Sequence, residues 1–159
     1  MSPRLSRSAR KVQQALDRSG LAFWVVELPK STRTAAQAAA AIGTSVGQIA
    51  KSLIFQTTQS GEPILVIASG ANLVNVSAVG AHLGQGIRKA DADFVKAKTG
   101  FAIGGVPPVG HDRPPRTYLD VDLLRYEEIW AAAGTPYAVF RLSPQDLVRI
   151  SGGTVIPIH

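Results

Sequence analysis

Leu5, Ala9, Val12 and Leu16 recur at helical spacing, with Arg10, Gln13, Gln14 and Asp17 between them and Gly20 beyond, which predicts an amphipathic helix. Residues 23–28 (FWVVEL) form a β-branched and aromatic run ended by Pro29. A polar connection, 31–33, then leads into an alanine-rich helix closed by Gly43. Ser45 and Gln48 have capping-box spacing and predict a helical turn that delivers the chain into a strand at 51–57. Gly61 marks a hairpin, with a returning strand at 63–69, a helix at 76–83 before Gly84, and a short strand at Ile87. Asp91 caps a helix running to Lys98 with Gly100 beyond it, and an apolar strand is expected at 101–103, broken by Gly104 and Gly105. Residues 106–116 hold four prolines, Gly110 and His111, too many breakers for a regular element. A strand at 118–124, a helix at 126–133 ended by Gly134, a strand at 137–142 and a helix opened by Ser143 and Pro144 complete the reading. Helices and strands are interspersed without repeats or a long linker. The expectation is one α/β domain over 1–159, its sheet mixed because hairpin connections argue against a purely parallel one.

Composition narrows the class without changing that picture. At 159 residues, 45% hydrophobic and 18% charged, the chain can bury one continuous core and is not disordered as a whole. It has no cysteine, which excludes disulfides, thiolate zinc sites and a cysteine nucleophile, and a cytoplasmic location is expected. No apolar run approaches the length of a membrane span, so no membrane partner is expected. The net charge of +6 is unevenly placed: Arg4, Arg7, Arg10, Lys11 and Arg18 face Asp17 alone in the first eighteen residues. That fits either a polyanionic partner such as nucleic acid or a solvated helix face.

Few residues can carry chemistry. His82, His111 and His159 are isolated and lack metal-ligand spacing, so no metal is expected. The phosphate-cradling glycine loops of ATP and dinucleotide sites and the GxSxG elbow are missing, so no cofactor and no serine triad are expected. Lys51 opens the apolar run KSLIF, where a charge is costly; its ammonium either faces a cavity or partner, or snorkels from a strand edge to water. Ser52 beside it points to the opposite face of a strand, which argues against a Ser-Lys dyad. Gly104, Gly105, Val106, Pro107, Pro108, Val109, Gly110 and His111 form the second feature. Glycines there let backbone N–H groups approach an oxyanion or carbonyl while the prolines hold them aimed; the alternative is a rigid turn with a surface histidine.

Together these pieces resemble the YbaK/prolyl-tRNA-synthetase-associated family, the free-standing trans-editing aminoacyl-tRNA deacylases and the editing insertion of bacterial prolyl-tRNA synthetases. The resemblance spans nearly the whole chain. It is carried by QIAKSLIF with Lys51, by 69–84, and above all by KTGFAIGGVPPVGH followed by TYLD at 117–120. It implies a mixed, barrel-like sheet flanked by helices and hydrolysis of the ester of a mischarged tRNA, with tRNA for proline as the expected partner. By position, Lys51 matches the family's functional lysine and Gly104 to Pro108 its GxxxP loop.

The implied site has Lys51, Gly104 and Gly105 at the chemistry. Thr32, Ser69, Val106, Pro107, Pro108, Gly110 and His111 are expected to wall or rim the amino-acid pocket. Arg4, Arg7, Arg10, Lys11, Arg88 and Lys89 are expected to contact the tRNA acceptor stem. An aminoacyl ester is already activated, so a positioned water, oxyanion stabilisation and a clamp suffice without a nucleophile. Where the cysteinyl-tRNA-clearing branch has Ser-Gly-Gly, this chain has Ala132, Ala133 and Gly134, which favours alanine, serine or threonine over cysteine as the residue removed. A monomer is expected, meeting prolyl-tRNA synthetase or elongation factor only transiently. The competing readings are a non-catalytic tRNA- or synthetase-binding module of the same fold, a cysteinyl-tRNA(Pro) deacylase, and a small-molecule esterase or amidase.

Overall fold

The computed structural model describes residues 5–159. Helix α1 (Arg7–Arg18) starts at Ser6, whose hydroxyl accepts from Ala9 N–H, and buries Ala9, Val12, Ala15 and Leu16. Strand β1 (Val26–Glu27) is followed by α2 (Ala35–Ile42), which Thr34 and Gln37 open as a reciprocal capping box and Gly43 closes in the left-handed conformation. A 3-10 turn (Val46–Gln48) leads into β2 (Ile49–Thr57), and the hairpin returns as β3 (Pro63–Ser69). Next come α3 (Val76–Leu83), β4 (Ile87–Lys89) and α4 (Ala92–Thr99), the two helices capped by Asn75 and Asp91. Strand β5 (Arg116–Asp120), a 3-10 turn (Val121–Arg125), β6 (Ile129–Ala132), β7 (Ala138–Leu142), α5 (Pro144–Ser151) and β8 (Thr154–Ile156) complete the chain.

Eight strands among the described residues form one sheet in the order β1-β7-β6-β2-β3-β5-β8, with β4 on β2 beside that path. The pairs β2–β6, β3–β5 and β5–β8 are parallel and the others antiparallel, so the sheet is mixed, as the hairpins implied. One face, carrying Ala50, Ile54, Leu65, Ile67 and Leu119, packs on α1, Phe101 and Val106. The other, with Phe55, Ile64, Val66, Ala68 and Tyr118, packs on Val79 of α3.

Four segments depart from expectation. Residues 126–133 are not a helix: the alanine-rich composition suggests one, but Ile129, Ala131 and Ala133 are buried while Glu128, Trp130 and Ala132 are half-exposed, a period of two. Pairing with both β2 and β7 decides the outcome over propensity. Of the run 23–28 only Val26 and Glu27 pair as strand, because the Gln13 amide takes Phe23 C=O (2.9 Å) and Val25 N–H (2.8 Å) in place of a neighbour. The apolar 101–103 run is a turn: Phe101 N–H donates to Thr99 Oγ1 (3.1 Å) and its ring is buried beneath the loop. The strand expected at 118–124 stops at Asp120, whose carboxylate caps the following 3-10 turn by accepting from Asp122 N–H (2.9 Å). β8 lies beyond the expected elements, a three-residue strand after two glycines.

Candidate active site

Strand β2 is long enough to be shared unevenly. β3 covers one edge from Ala50 to Gln56. On the other edge β6 reaches only Ile49 and Ala50, and β4 only Phe55 to Thr57. The sheet is therefore split beside Lys51, Ser52 and Leu53, and a cavity of about 730 Å³ occupies the opening. A smaller hollow of about 430 Å³ between 28–31 and α2 offers Lys30 as its sole charge among the described residues and is set aside.

The split explains how residues from opposite faces of the sheet meet. Lys51 projects with Leu53 and Phe55 toward the α3 face, while Ser52 projects with Ala50 and Ile54 toward the α1 face. Both line the one cavity, together with Leu73, Val74, Val76 and Lys89 on the Lys51 side and Thr32, Ile103, Gly104 and Val106 on the other. Burial pushes the Lys51 ammonium below its ordinary pKa, opposed by the Asp120 carboxylate and reinforced by Lys89. Both β4 cations are exposed, but Lys89 lines the cavity and Arg88, its neighbour, does not. The signal for this was in the sequence, since buried Ile87 and Lys89 are two apart on one strand.

Asp120, fully buried, is the anchor behind Lys51. It accepts from Ser69 N–H (3.0 Å) and Asn72 Nδ2 (2.8 Å) as well as Asp122 N–H. These bonds fix the turn that carries Leu73, 84% exposed, to the cavity mouth. Asn72 also donates to Asp122, whose carboxyl the His159 and Asn72 hydrogen bonds hold below the usual range. Ser69 contributes from within: its hydroxyl donates to Gly47 C=O (2.7 Å) and it does not reach the cavity.

The GxxxP loop divides in two. Gly104, at φ 85°, and Val106 line the cavity, and a side chain at 104 would strike Arg33. Gly105 is not available to a ligand. Its N–H donates to Ala102 C=O (2.9 Å), its C=O accepts from Gly134 N–H (2.9 Å), and a Cβ there would meet the Thr135 backbone at 2.8 Å. Its glycine serves close packing of the loop on the β6–β7 turn. Pro107 and Pro108 are buried, and Gly110 packs on Ala15 of α1. His111 bonds Pro107 C=O through Nε2 (2.7 Å) and meets the Phe101 ring edge-on; burial lowers its pKa. These four residues hold the loop from behind and do not line the cavity. Thr32 does line it, although its hydroxyl donates to Pro136 C=O (3.0 Å).

Of the basic residues expected at the acceptor stem, Arg7, Arg10 and Arg88 are exposed, and Lys11 pairs with Asp112 (3.2 Å) while lying 5.2 Å from the Phe101 ring centre. Arg4 lies outside the described residues. Among the described residues, no group of three or more His, Asp or Glu side chains could hold a metal, and no helix is long and apolar enough to cross a membrane.

The aminoacyl-tRNA editing domain matches residues 29–150, the stretch that contains Lys51, the split and the GxxxP loop. The chain belongs to that family. A solved structure described as a trans-editing enzyme for prolyl-tRNA synthetase superposes with a TM-score of 0.91 at 49% identity, covering 98% of both chains. YwhH of Bacillus subtilis is 35% identical over 127 residues, 80% of each chain. EbsC of Enterococcus faecalis, named for deacylation of Cys-tRNA(Pro) and Cys-tRNA(Cys), is 24% identical over 120 residues, covering 76% of this chain and 73% of its own. In this editing domain, sequence reasoning had found the lysine and the loop but missed Asp120, Leu73 and the split itself, which no local pattern announces.

Proposed function

We propose that the protein is a trans-editing deacylase acting on tRNA(Pro) mischarged with a small residue: alanine, serine or threonine. The observation that carries the reading is the convergence of Lys51 and the Gly104–Val106 segment on one cavity through the split in β2. The likeness to a trans-editing enzyme for prolyl-tRNA synthetase supports the choice of tRNA.

The geometry suits ester hydrolysis without a protein nucleophile. The Lys51 ammonium, partly desolvated on the open side with Lys89, binds the phosphate of the terminal nucleotide and orients it. The acyl group passes through the split toward Ile103, Gly104 and Val106. A water adds to the acyl carbon, the ester C–O bond breaks, and the ribose oxygen leaves carrying one of the water's protons. The ribose hydroxyl beside the ester can relay that proton, so no buried histidine is required. A donor fixed by the fold and aimed at the developing oxyanion stabilises it without having to reorganise. Selectivity among small residues comes from Ile103, Val106, Ala131 and Val139 in the cavity wall. Apolar walls separate methyl-sized differences by only about 10- to 200-fold. Arg7, Arg10 and Arg88, with Arg4, form the docking charge for the acceptor stem, and the enzyme works as a cytoplasmic monomer.

The test is release of free amino acid from a panel of mischarged tRNAs, with Lys51→Ala as control. Hydrolysis of alanyl-, seryl- or threonyl-tRNA(Pro) that depends on Lys51 and weakens steeply with salt is expected. A preference for cysteinyl-tRNA(Pro), or tight tRNA binding with an unchanged ester lifetime, overturns the reading.

A further inference from the structure

The split leaves one residue of β2 with no use for its main chain. Along a strand the N–H and C=O groups alternate between the two edges. Odd-numbered residues serve the β3 side: Thr57 N–H donates to Glu62 C=O (2.9 Å) and Ile49 C=O accepts from Gly70 N–H (2.7 Å). Even-numbered residues serve the other, as where Ile54 C=O accepts from Ala90 N–H (3.1 Å). Ser52 therefore turns both groups into the opening, beyond the last β6 partner at Ala50 and short of β4 at Phe55. Its hydroxyl is buried and has no partner either. Among the described residues neither ladder register extends to the Ser52 main chain, no loop bond reaches it, and the hydroxyl of this cavity-lining residue has no partner. Buried polar groups are satisfied as a rule, so the unmet hydroxyl is unusual, and the half-exposed main-chain pair beside it opens a donor and an acceptor to whatever fills the cavity.

Resting on the deacylase reading, we infer that Ser52 receives the aminoacyl group as a single residue of added strand, its N–H donating to the acyl carbonyl oxygen and its C=O accepting from the α-ammonium. An aminoacyl ester repeats the N–Cα–C=O order of one peptide residue, so it can match the two-bond pair of an antiparallel ladder. The side chains of such a pair lie on the same face. The substrate's side chain then sits beside Ser52 Cβ, in the half of the cavity that holds Ile103, Gly104 and Val106. The Ser52 N–H stays on the carbonyl oxygen as it becomes the tetrahedral oxyanion, the role that bound Gly105 cannot fill. Lys51, on the opposite face, holds the nucleotide. One strand thus divides its two neighbouring residues between the two ends of the ester.

Two arms test this. The first compares the wild-type enzyme on alanyl- and lactyl-tRNA, which differ only in the α-amino group, each rate divided by its spontaneous hydrolysis. The acceleration is expected to be about 10- to 100-fold smaller for the lactyl ester, which lacks the charged donor. The second is Ser52→Pro, which removes the N–H at a position where the ladder does not use it. With circular dichroism and melting close to wild type, kcat should fall about 100- to 1,000-fold while the tRNA KM stays within about threefold. Should this variant not fold, the lactyl comparison decides alone. Equal acceleration of the two esters, or wild-type kcat in folded Ser52→Pro, overturns the pairing. Wild-type hydrolysis that needs Lys51 but ignores both changes sinks the Ser52 role alone. Absence of any aminoacyl-tRNA hydrolysis sinks the deacylase reading, and this inference with it.

Discussion

The two strands of the central hairpin share length and apolar character but differ in how they are enclosed. β3 is paired along both edges, and Ile64 to Ser69 are all at most 2% exposed. β2 is covered along one edge and only at its ends along the other, so Lys51, Ser52 and Leu53 stay half-exposed. A charge or an unpaired peptide would be ruinous in β3. In β2 the split opens the charge and the unpaired peptide to the cavity, so on the reading proposed above the spine carries stability and its neighbour carries function.

The largest expected effect tests the spine. Ile67→Ala should cost about 2–5 kcal/mol in urea unfolding, with hydrolysis per folded molecule unchanged. If activity falls as stability does, the two strands are not separable. Next, Lys51→Met should lose about 100-fold in deacylation while melting at the same or a higher temperature. Its sign follows from burial: the native pKa lies below 10.5, so the unfolded chain binds more protons in the window between them. Wild-type stability therefore rises with pH through that window, and the rise should vanish in Lys51→Met, read from urea midpoints at pH 8 and pH 10.

Asp120→Asn sharpens the boundary, because Asp120 serves both strands. It should cost about 1.5–3 kcal/mol by weakening bonds to Ser69, Asn72 and Asp122. Loss of its field should also move the alkaline limb of kcat/KM to lower pH, since the carboxylate holds the Lys51 pKa up. The smallest effect lies behind the loop. Burial lowers the His111 pKa, so native stability is lost as pH falls below about 6.5 toward the lowered value, at most about 1.4 kcal/mol per unit. His111→Gln should flatten that acid slope, measured by denaturant midpoints at pH 7.5 and 5.0, and leave the neutral-pH rate within about threefold.

The helix starts at Asp91 and Ser143 were legible because caps are local chemistry, each accepting from a backbone N–H in the first turn it opens; Ser6, Thr34 and Asn75 cap in the same way but were not singled out in the sequence. Strand β6 was not, since Ile129–Ala132 has helix-like composition and owes its conformation to β2 and β7 on either side. The same limit applies to the site. Lys51 and the GxxxP loop stood out as a charge in an apolar run and a concentration of breakers. Gly104 and Gly105 read alike, yet one lines the cavity and the other is bonded to Ala102 and Gly134.

By itself, the sequence determined the α/β class, the hairpin, the capped helices and the two segments that meet at the site, because each rests on contacts between near neighbours in the chain. Tertiary structure decided that β6 and β4 stop short of one another on the same edge of β2. That register depends on where distant strands run out of partners, and it brings Lys51 and Ser52, on opposite faces, into one cavity.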